Sequence, residues 1–461
     1  MAEVATSTAQ VTEDAIETWR AAEPRVFADF STDCQRCSEF WRLSRDLIER
    51  LPRKPARSVE QTRLADEIHT ITRQSRQRFL RHHIENVYAA LTDNFTRFVR
   101  VENLVVAAAE KFAGVVPSSA QLAAEAGTRQ GDKDGLEIDQ GILLSQVLGH
   151  DRAGSHLCHA MLLPHPDTEQ HLAKFARDGA IDLGGAKLQR KGRIAYLISS
   201  NPRFLNAEDQ TTINAMEIAV DLAILDPESD IAVLRGGFVE HPKYRGRRLL
   251  GSGINLTHLY QGKIPFVWFV QRELGFVHKF LRGVARPDEF PDDISGAATE
   301  KPWVAAVEGF AIGGHCQVLL TQDFVIAASD AFMTLPARKE GIIPGAANLR
   351  LPRFVGDRIA RQAIQYERRL DCDSPEGRLI CDEIAPPDEM DAAIELVAAR
   401  LTSSGAVGAI ANRRAFRVTQ EPIDVFRRYM AVYAREQAYC HFSPALIANL
   451  EQYWNAQNRK G

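Results

Sequence analysis

What the sequence lacks narrows the field before any motif is read. No apolar run approaches the roughly 18 residues of a membrane-spanning helix, so no membrane partner is expected. The opening MAEVATSTAQVTED has no basic segment followed by an apolar core, which argues against a secretory leader. Basic charge is not in excess: Lys and Arg number 56 against 60 Asp and Glu, a formal net charge of −4, and no nucleic-acid partner is expected. The seven cysteines (Cys34, Cys37, Cys158, Cys316, Cys372, Cys381 and Cys440) are odd in number and scattered. They read as reduced thiols, not as a disulfide framework. Cys34-Gln-Arg-Cys37 has C-x-x-C spacing without the second pair that a zinc site requires. A G-x-G-x-x-G phosphate loop and a flavin motif are missing too. The expectation is a cytoplasmic enzyme that uses no metal and no cofactor.

What is present is ordinary for a globular enzyme: 461 residues, 45% hydrophobic and 25% charged, enough for two or three domains. From residue 11 to about 180 apolar residues recur mostly three or four apart, as in Phe40-Trp41-Leu43-Leu47 and Phe79-Ile84-Val87-Leu91-Phe95, and predict helices. His150, His156, Cys158, His159 and His165 crowd together, and His156 and His159 would share a helix face. Pro164 and Pro166 interrupt the cluster, and no acidic residue stands at a suitable spacing. Helix-end and interface roles are therefore favoured over metal ligation.

Near Asp182 the texture changes. Residues 186–189 and 193–199 read as a hairpin around Lys191-Gly192. A helix over 211–225, ended by Asp226-Pro227, and a buried strand over 231–235 follow. Residues 264–280 predict one unusually aromatic helix, with Phe266, Trp268, Phe269, Phe276 and Phe280 interrupted by Arg272 and Glu273. That helix either walls a pocket, with Arg272 as a fixed donor fork, or is a core helix whose charged pair faces solvent. The segment the chain is organised around is PWVAAVEGFAIGGHCQVLLTQDFVIAASDAFMTLPARKEGIIP, residues 302–344. A buried strand there leads through Gly309 to Gly313-Gly314 and a helix start. Glycines at such a junction let backbone N–H groups face a phosphate or a developing oxyanion, or serve a plain tight turn.

The phrase VEGFAIGGHCQVLLTQDFVIAASDAFMTLP, with IIPGAANLRL after it and SNPRFLNAED before it, resembles the crotonase (enoyl-CoA hydratase/isomerase) family. The resemblance implies an α/β, crotonase-like ββα superhelix fold preceded by a large all-α N-terminal domain. It divides the chain into helical residues 1–181, a core at 182–385 with the CoA and acyl site, and a helical oligomerisation segment at 386–461. It also implies that the amides of Ile254 and Gly314 form an oxyanion hole, with His315 in place of a third glycine. Arg203, Arg247, Arg248, Gly253, Asn255 and Gly309 fall at CoA-binding positions, with Lys243 and Arg245 in the same basic cluster; a solvated charged loop is the alternative. Glu208 replaces an apolar residue near the acyl chain, which suggests a polar acyl group or else a helix-start carboxylate. A homo-oligomer, a trimer or a dimer of trimers, is implied as well.

Two glutamates that hydratases of this family use to add water are absent. Gln317 occupies the first position and Ala337 the second, and neither can shuttle a proton. Glu340 and Arg338 lie near the second position, which keeps a displaced acid open. Together with the long helical N-terminal part and the segment VLRGGFVEHPKYRGRRLLGSGINL, this resembles a branch of the family that acts in glycopeptide-antibiotic biosynthesis. The branch implies a metal-free, flavin-free oxygenase taking an arylacetyl-CoA with ring hydroxyls and O2 to an arylglyoxylate and free CoA. Glu208, Arg272 and Gln317 are the candidates for the ring hydroxyls, and Ile254, Ile342, Ile343 and Pro344 for a dry oxygen pocket. The base for the Cα proton is not named by the sequence. Two other readings stand beside this one: a hydrolase or isomerase using Glu340 or Glu208, and a non-catalytic acyl-CoA-binding scaffold.

Overall fold

The computed structural model describes residues 11–25, 27–289, 294 and 298–459. The decapeptide that opens the chain, on which the leader argument rests, lies outside them. The N-terminal part is helical, from Glu13–Ala21 to Glu169–Asp178. Its longest helix, Val59–Leu91, starts at a capping box in which Ser58 and Gln61 satisfy each other's amides, the expected device for an exposed helix start. The apolar stripe Phe79, Ile84, Val87 and Leu91 is buried. Trp41, on Phe30–Arg50, meets Phe79 edge-on at 5.4 Å.

Gly179 ends the last of these helices in the left-handed conformation (φ 64°), and the sheet begins at Ala180, two residues before the expected boundary. Seven strands follow in the order Ala180–Asp182, Ala186–Lys191, Ile194–Ser199, Ile231–Gly236, Trp303–Val307, Phe324–Ala328 and Glu383–Ala385. The first two pairings are antiparallel and the others parallel. Trp303–Val307 is buried along its whole length, as a parallel strand covered on both faces must be. A smaller sheet pairs Phe310–Ile312 with Phe332–Thr334 in parallel and the latter with Leu370–Asp371 antiparallel.

The aromatic segment is two helices, Phe266–Leu274 and Phe276–Arg282, where one was expected. The break falls at Gly275, where a Cβ would lie 2.6 Å from the Gln271 carbonyl and 2.8 Å from Glu217 Oε2. Below it lies a buried ion cluster. Lys279 Nζ pairs with Glu217 at 2.8 Å and Asp221 at 2.7 Å, and Arg100 from the N-terminal helices grips Glu217 with both terminal nitrogens at 2.9 and 2.8 Å. Burial pushes the Glu217 carboxyl up, but Lys279 and Arg100 outweigh that and hold it below its usual range. The C-terminal helix Ile423–His441 packs inside the chain, against Ile138–Gly149 and Phe266–Leu274. Gly141 permits this contact, because any Cβ there would collide with Ala438.

The cluster fixes a stability prediction. Lys279→Met should leave Asp221 without its cation and Glu217 with one cation fewer, and destabilise the protein by about 3–5 kcal/mol. Denaturant unfolding followed by circular dichroism measures this; a loss below about 1 kcal/mol would mean the cluster is not holding the helical part to the sheet.

Candidate active site

Three passes of backbone converge where the sheets meet. Bridges pair Glu208 with Ile254 and Gly251 with Ala311, both in parallel. The side chain of Asn206 donates to the carbonyls of Gly237 at 3.0 Å and Leu249 at 2.8 Å, fastening the first pass to the second. Gly253 has φ 81°, and a Cβ there would lie 2.9 Å from the Ile312 carbonyl and 3.2 Å from the Gly314 amide nitrogen. Only glycine allows that approach.

The amides around this junction are occupied in a pattern. Glu208 N donates to the Gly253 carbonyl at 2.7 Å, Asn255 N to the Glu208 carbonyl at 2.8 Å and Gly313 N to the Thr334 carbonyl at 2.9 Å. Gly253 N donates to His315 Nδ1 at 3.2 Å. Among the described residues the amides of Ile254 and Gly314 have no protein acceptor. Two neighbouring free donors of this kind can bind one anionic oxygen.

Beside them lies Arg272, 3% exposed. Its Nε donates to Glu208 Oε2 at 2.8 Å; Nη2 donates to Glu208 Oε1 at 3.0 Å and to the Gly314 carbonyl at 2.9 Å. Nη1 donates to Gln317 Oε1 at 3.0 Å and to Glu273 Oε1. All five guanidinium N–H groups are thereby used. The pair Arg272–Glu273 is buried, so the solvent-facing alternative is wrong. Arg272 also has no donor left for a ring hydroxyl; its part is to hold Glu208, Gln317 and the Gly314 peptide. Burial pushes the Glu208 carboxyl up, yet the Arg272 charge outweighs it and keeps the carboxyl below its usual range. Glu208 therefore stays an anion that can accept a hydroxyl hydrogen bond. Gln317 gives its oxygen to Arg272, which leaves its Nε2 donor without a protein acceptor among the described residues.

The IIPG turn closes the other side. Gly345 has φ 45°, and a Cβ there would collide with Gln317 Oε1 and Glu273 Oε1. Glu273 Oε2 accepts the Ala346 amide at 3.2 Å, Gln437 Oε1 accepts the Ile343 amide at 2.9 Å, and the Tyr429 hydroxyl donates to the Gly345 carbonyl. Helix Ile423–His441 thus pins the turn from behind. Ile342 and Ile343 are half-buried and Pro344 is buried. Ala337 and Glu340 are the two buried residues of the short helix Ala337–Glu340. Sequence reasoning gave no role to Glu273 or to His315, whose ring lies flat on Gly251 and holds the Gly253 amide. A histidine in place of a glycine in the GGG turn was the available signal.

The expected CoA residues divide. Arg203 is exposed, with its guanidinium 5.2 Å from the Phe204 ring. Arg247 is exposed and pairs with Asp330 at 2.6 Å. Arg248 lies over the Phe238 ring at 4.2 Å and donates to the Gly236 carbonyl at 3.3 Å. Asn255 is buried and caps helix Leu256–Tyr260, accepting the His258 amide at 3.2 Å and donating to Asp209 at 2.8 Å. Its side chain is a structural brace. Gly309 (φ 67°) makes the turn after Trp303–Val307 at a point where a Cβ would strike Leu249. The histidine cluster is dispersed in function. His156 contacts the Tyr88 hydroxyl at 2.9 Å and the Phe95 carbonyl at 3.1 Å, His159 contacts the Arg286 carbonyl at 3.0 Å, and His150 caps a helix. No three metal-ligating side chains converge among the described residues.

The enoyl-CoA hydratase/isomerase family matches residues 296–428. A (3,5-dihydroxyphenyl)acetyl-CoA 1,2-dioxygenase of Amycolatopsis orientalis is 46% identical over 394 residues, 85% of this chain and 89% of that protein. A carnitinyl-CoA dehydratase of Salmonella paratyphi A is 29% identical over 246 residues, 53% of this chain and 84% of the relative. Among solved structures, an enoyl-CoA hydratase from Mycobacterium avium subsp. paratuberculosis K-10 is 21% identical with a TM-score of 0.47, covering 58% of this chain and 98% of its own. The chain belongs to the enoyl-CoA hydratase/isomerase (crotonase) family and, within it, stands with the dioxygenase of Amycolatopsis orientalis.

Proposed function

We propose that the chain is a dioxygenase that converts 3,5-dihydroxyphenylacetyl-CoA and O2 to 3,5-dihydroxyphenylglyoxylate and free CoA, without metal or flavin. The observation that carries this reading is the pair of free amides, Ile254 and Gly314, set against a polar cluster in which Gln317 and Ala337 replace the hydrating glutamates. The identity to the dioxygenase supports it over most of the chain. The thioester oxygen sits between the two amides, where an enolate is stabilised as it forms; one such donor is worth about 3 kcal/mol. Glu208 and the Gln317 amide take the ring hydroxyls, one as acceptor and one as donor. The ring and the thioester both delocalise the charge at Cα, and the electron-rich enolate reduces O2 directly. The peroxide formed at Cα attacks the thioester carbonyl, CoA leaves and the O–O bond breaks.

Arg203 and Arg247, both exposed, are the contacts proposed for the CoA phosphates. Assembly as a trimer, or a dimer of such trimers, would cover Leu396, Val407 and Phe416, which are exposed on helices Met390–Thr402 and Ala406–Gln420. Among the described residues no single helix is long and apolar enough to cross a membrane, and the cytoplasm is the proposed compartment.

Oxygen uptake with the arylacetyl-CoA is the primary test. Uptake matched by CoA release and unchanged after chelator dialysis is expected. Equal CoA release under argon would instead reveal a hydrolase, and activity restored only by added metal would overturn the cofactor-free part. Replacing Gln317 by Glu removes the free donor and places a carboxylate beside the developing enolate. Turnover should fall at least tenfold, about 1.4 kcal/mol of barrier, and an unchanged rate would refute the role. Ile342 is β-branched and stiff, suited to keeping a small dry space open. Ile342→Phe should raise the KM for O2 while CoA-ester binding stays nearly intact; an unchanged oxygen constant with a lowered melting temperature would make Ile342 a packing residue only.

A further inference from the structure

We propose that Glu340 is the base that removes the Cα proton, a reading that rests on the dioxygenase function above. Glu340 ends the helix Ala337–Glu340 and is 4% exposed. Among the described residues its carboxyl group has no hydrogen-bond donor and no ion-pair partner. The other carboxylates of the site are all engaged. Both oxygens of Glu208 are held by Arg272, Glu273 is held by Arg272 and the Ala346 amide, and Asp209 by Asn255 and Thr211. A buried carboxylate without donors is costly and so takes up a proton readily.

Its position is equally specific. A Cβ built on Gly313 would have only two neighbours within 4 Å, the Cα of Gly253 at 3.5 Å and Glu340 Oε1 at 3.9 Å. The space beside the two free amides is therefore open, and one carboxylate oxygen borders it. Ala337 fills the position of the second hydrating glutamate, and Glu340, three residues on, lies on the same helical face. Gly341 (φ 74°) then turns the chain under Leu446 and Asn449, so helix Pro444–Trp454 closes the outer side.

Neither nearby alternative can serve. Glu208 is kept a weak base by Arg272. His315 accepts the Gly253 amide at Nδ1, which puts its proton on Nε2 and leaves no free acceptor. The charge facing Glu340 from helix Ala347–Tyr366 and its cap is Glu367, itself paired with Arg338 at 3.0 Å and Lys339 at 2.5 Å. Burial, with Glu367 adding to it, pushes the Glu340 carboxyl up to about 7, the range in which a general base is most effective near neutrality.

The carboxylate takes one Cα hydrogen as a proton, and the C–H electron pair becomes the enolate, with its oxygen on the Ile254 and Gly314 amides. The enolate passes one electron to O2, and the resulting radicals join as a Cα peroxide. The peroxide attacks the thioester carbonyl, and the departing CoA thiolate takes the proton from Glu340. The regenerated carboxylate removes the second Cα hydrogen as the O–O bond breaks, leaving the ketone and a carboxylate. Cα loses four electrons and O2 gains four.

The test is exchange of the Cα hydrogens of the arylacetyl-CoA in D2O under argon, which needs no oxygen. The native protein should catalyse it, and Glu340→Gln should slow both exchange and aerobic turnover at least 100-fold while the Kd for the ester stays within about threefold. Because the working form is deprotonated, native exchange should rise with pH through about 7. Glu340→Asp should keep this limb at a reduced rate. A Glu340→Gln protein that exchanges at the native rate overturns the proposal, and native oxygen uptake in the same experiment would leave the dioxygenase reading standing. Native exchange without any oxygen uptake would do the reverse. Should the Gln variant fail to fold, a native exchange rate flat between about pH 5.5 and 8.5 overturns the proposal by itself.

Discussion

Arg272 places all five of its N–H donors on groups of its own chain, and the site depends on that saturation. A buried guanidinium is tolerable only when its donors and charge are both answered. Here Glu208 and Glu273 answer the charge, while Gln317 and the Gly314 carbonyl complete the donors. The consequence runs outward: Glu208 is kept ionised, the Gln317 amide is turned so that its donor is free, and the Gly314 peptide is held in one plane. A substitution at Arg272 would loosen three parts of the site at once, although Arg272 itself has no donor left for substrate.

The position of Arg272 is in turn set by the helical N-terminal part. Arg272 and Lys279 stand on two consecutive helices joined at Gly275, and Glu217 presses on that glycine. Arg100 reaches the same Glu217 from the N-terminal helices. From the other end of the chain, helix Ile423–His441 packs on Phe266–Leu274 and fixes the IIPG turn through Tyr429 and Gln437. Both ends of the chain therefore act as a buttress for the segment that carries Arg272, which gives the N-terminal helices a mechanical part in the site without contributing a reacting group.

Much of the framework was legible in the sequence because it is local. The strand over 231–235 and the hairpin around Lys191-Gly192 are short runs bounded by turn residues, and they form within one or two residues of expectation. The turn at Gly313-Gly314 was legible because paired glycines after a buried strand have few other uses. What was not legible depends on distant partners. Gly275 was a weak break signal inside a continuous aromatic pattern, and the Glu217 carboxylate that leaves no room for a side chain there lies far away in sequence. The Arg272–Glu273 pair looks the same on paper whether it faces water or Glu208. Asn255 matched a CoA-binding position, yet its side chain is taken by Asp209 and by the cap it provides.

The same network bears on why an enolate here would meet oxygen and not simply be reprotonated. The enolate oxygen proposed to sit at Ile254 and Gly314 would meet amide dipoles, and the Arg272 guanidinium nearby is neutralised by Glu208 and Glu273. Burial keeps His315 uncharged by lowering its pKa. A dipolar hole stabilises the enolate oxygen without placing a full positive charge against it. A metal ion or free arginine at that point would bind the anion more strongly and withdraw electron density from Cα, making electron loss harder. With Gln317 and Ala337 at the two hydrating positions, Glu340 is the group proposed to return a proton to Cα, so reprotonation competes with O2 through that one carboxyl group. Under the proposed function, the chemistry would follow from a pocket that lets negative charge form, leaves it mobile, and offers an uncharged oxidant a dry place to receive it.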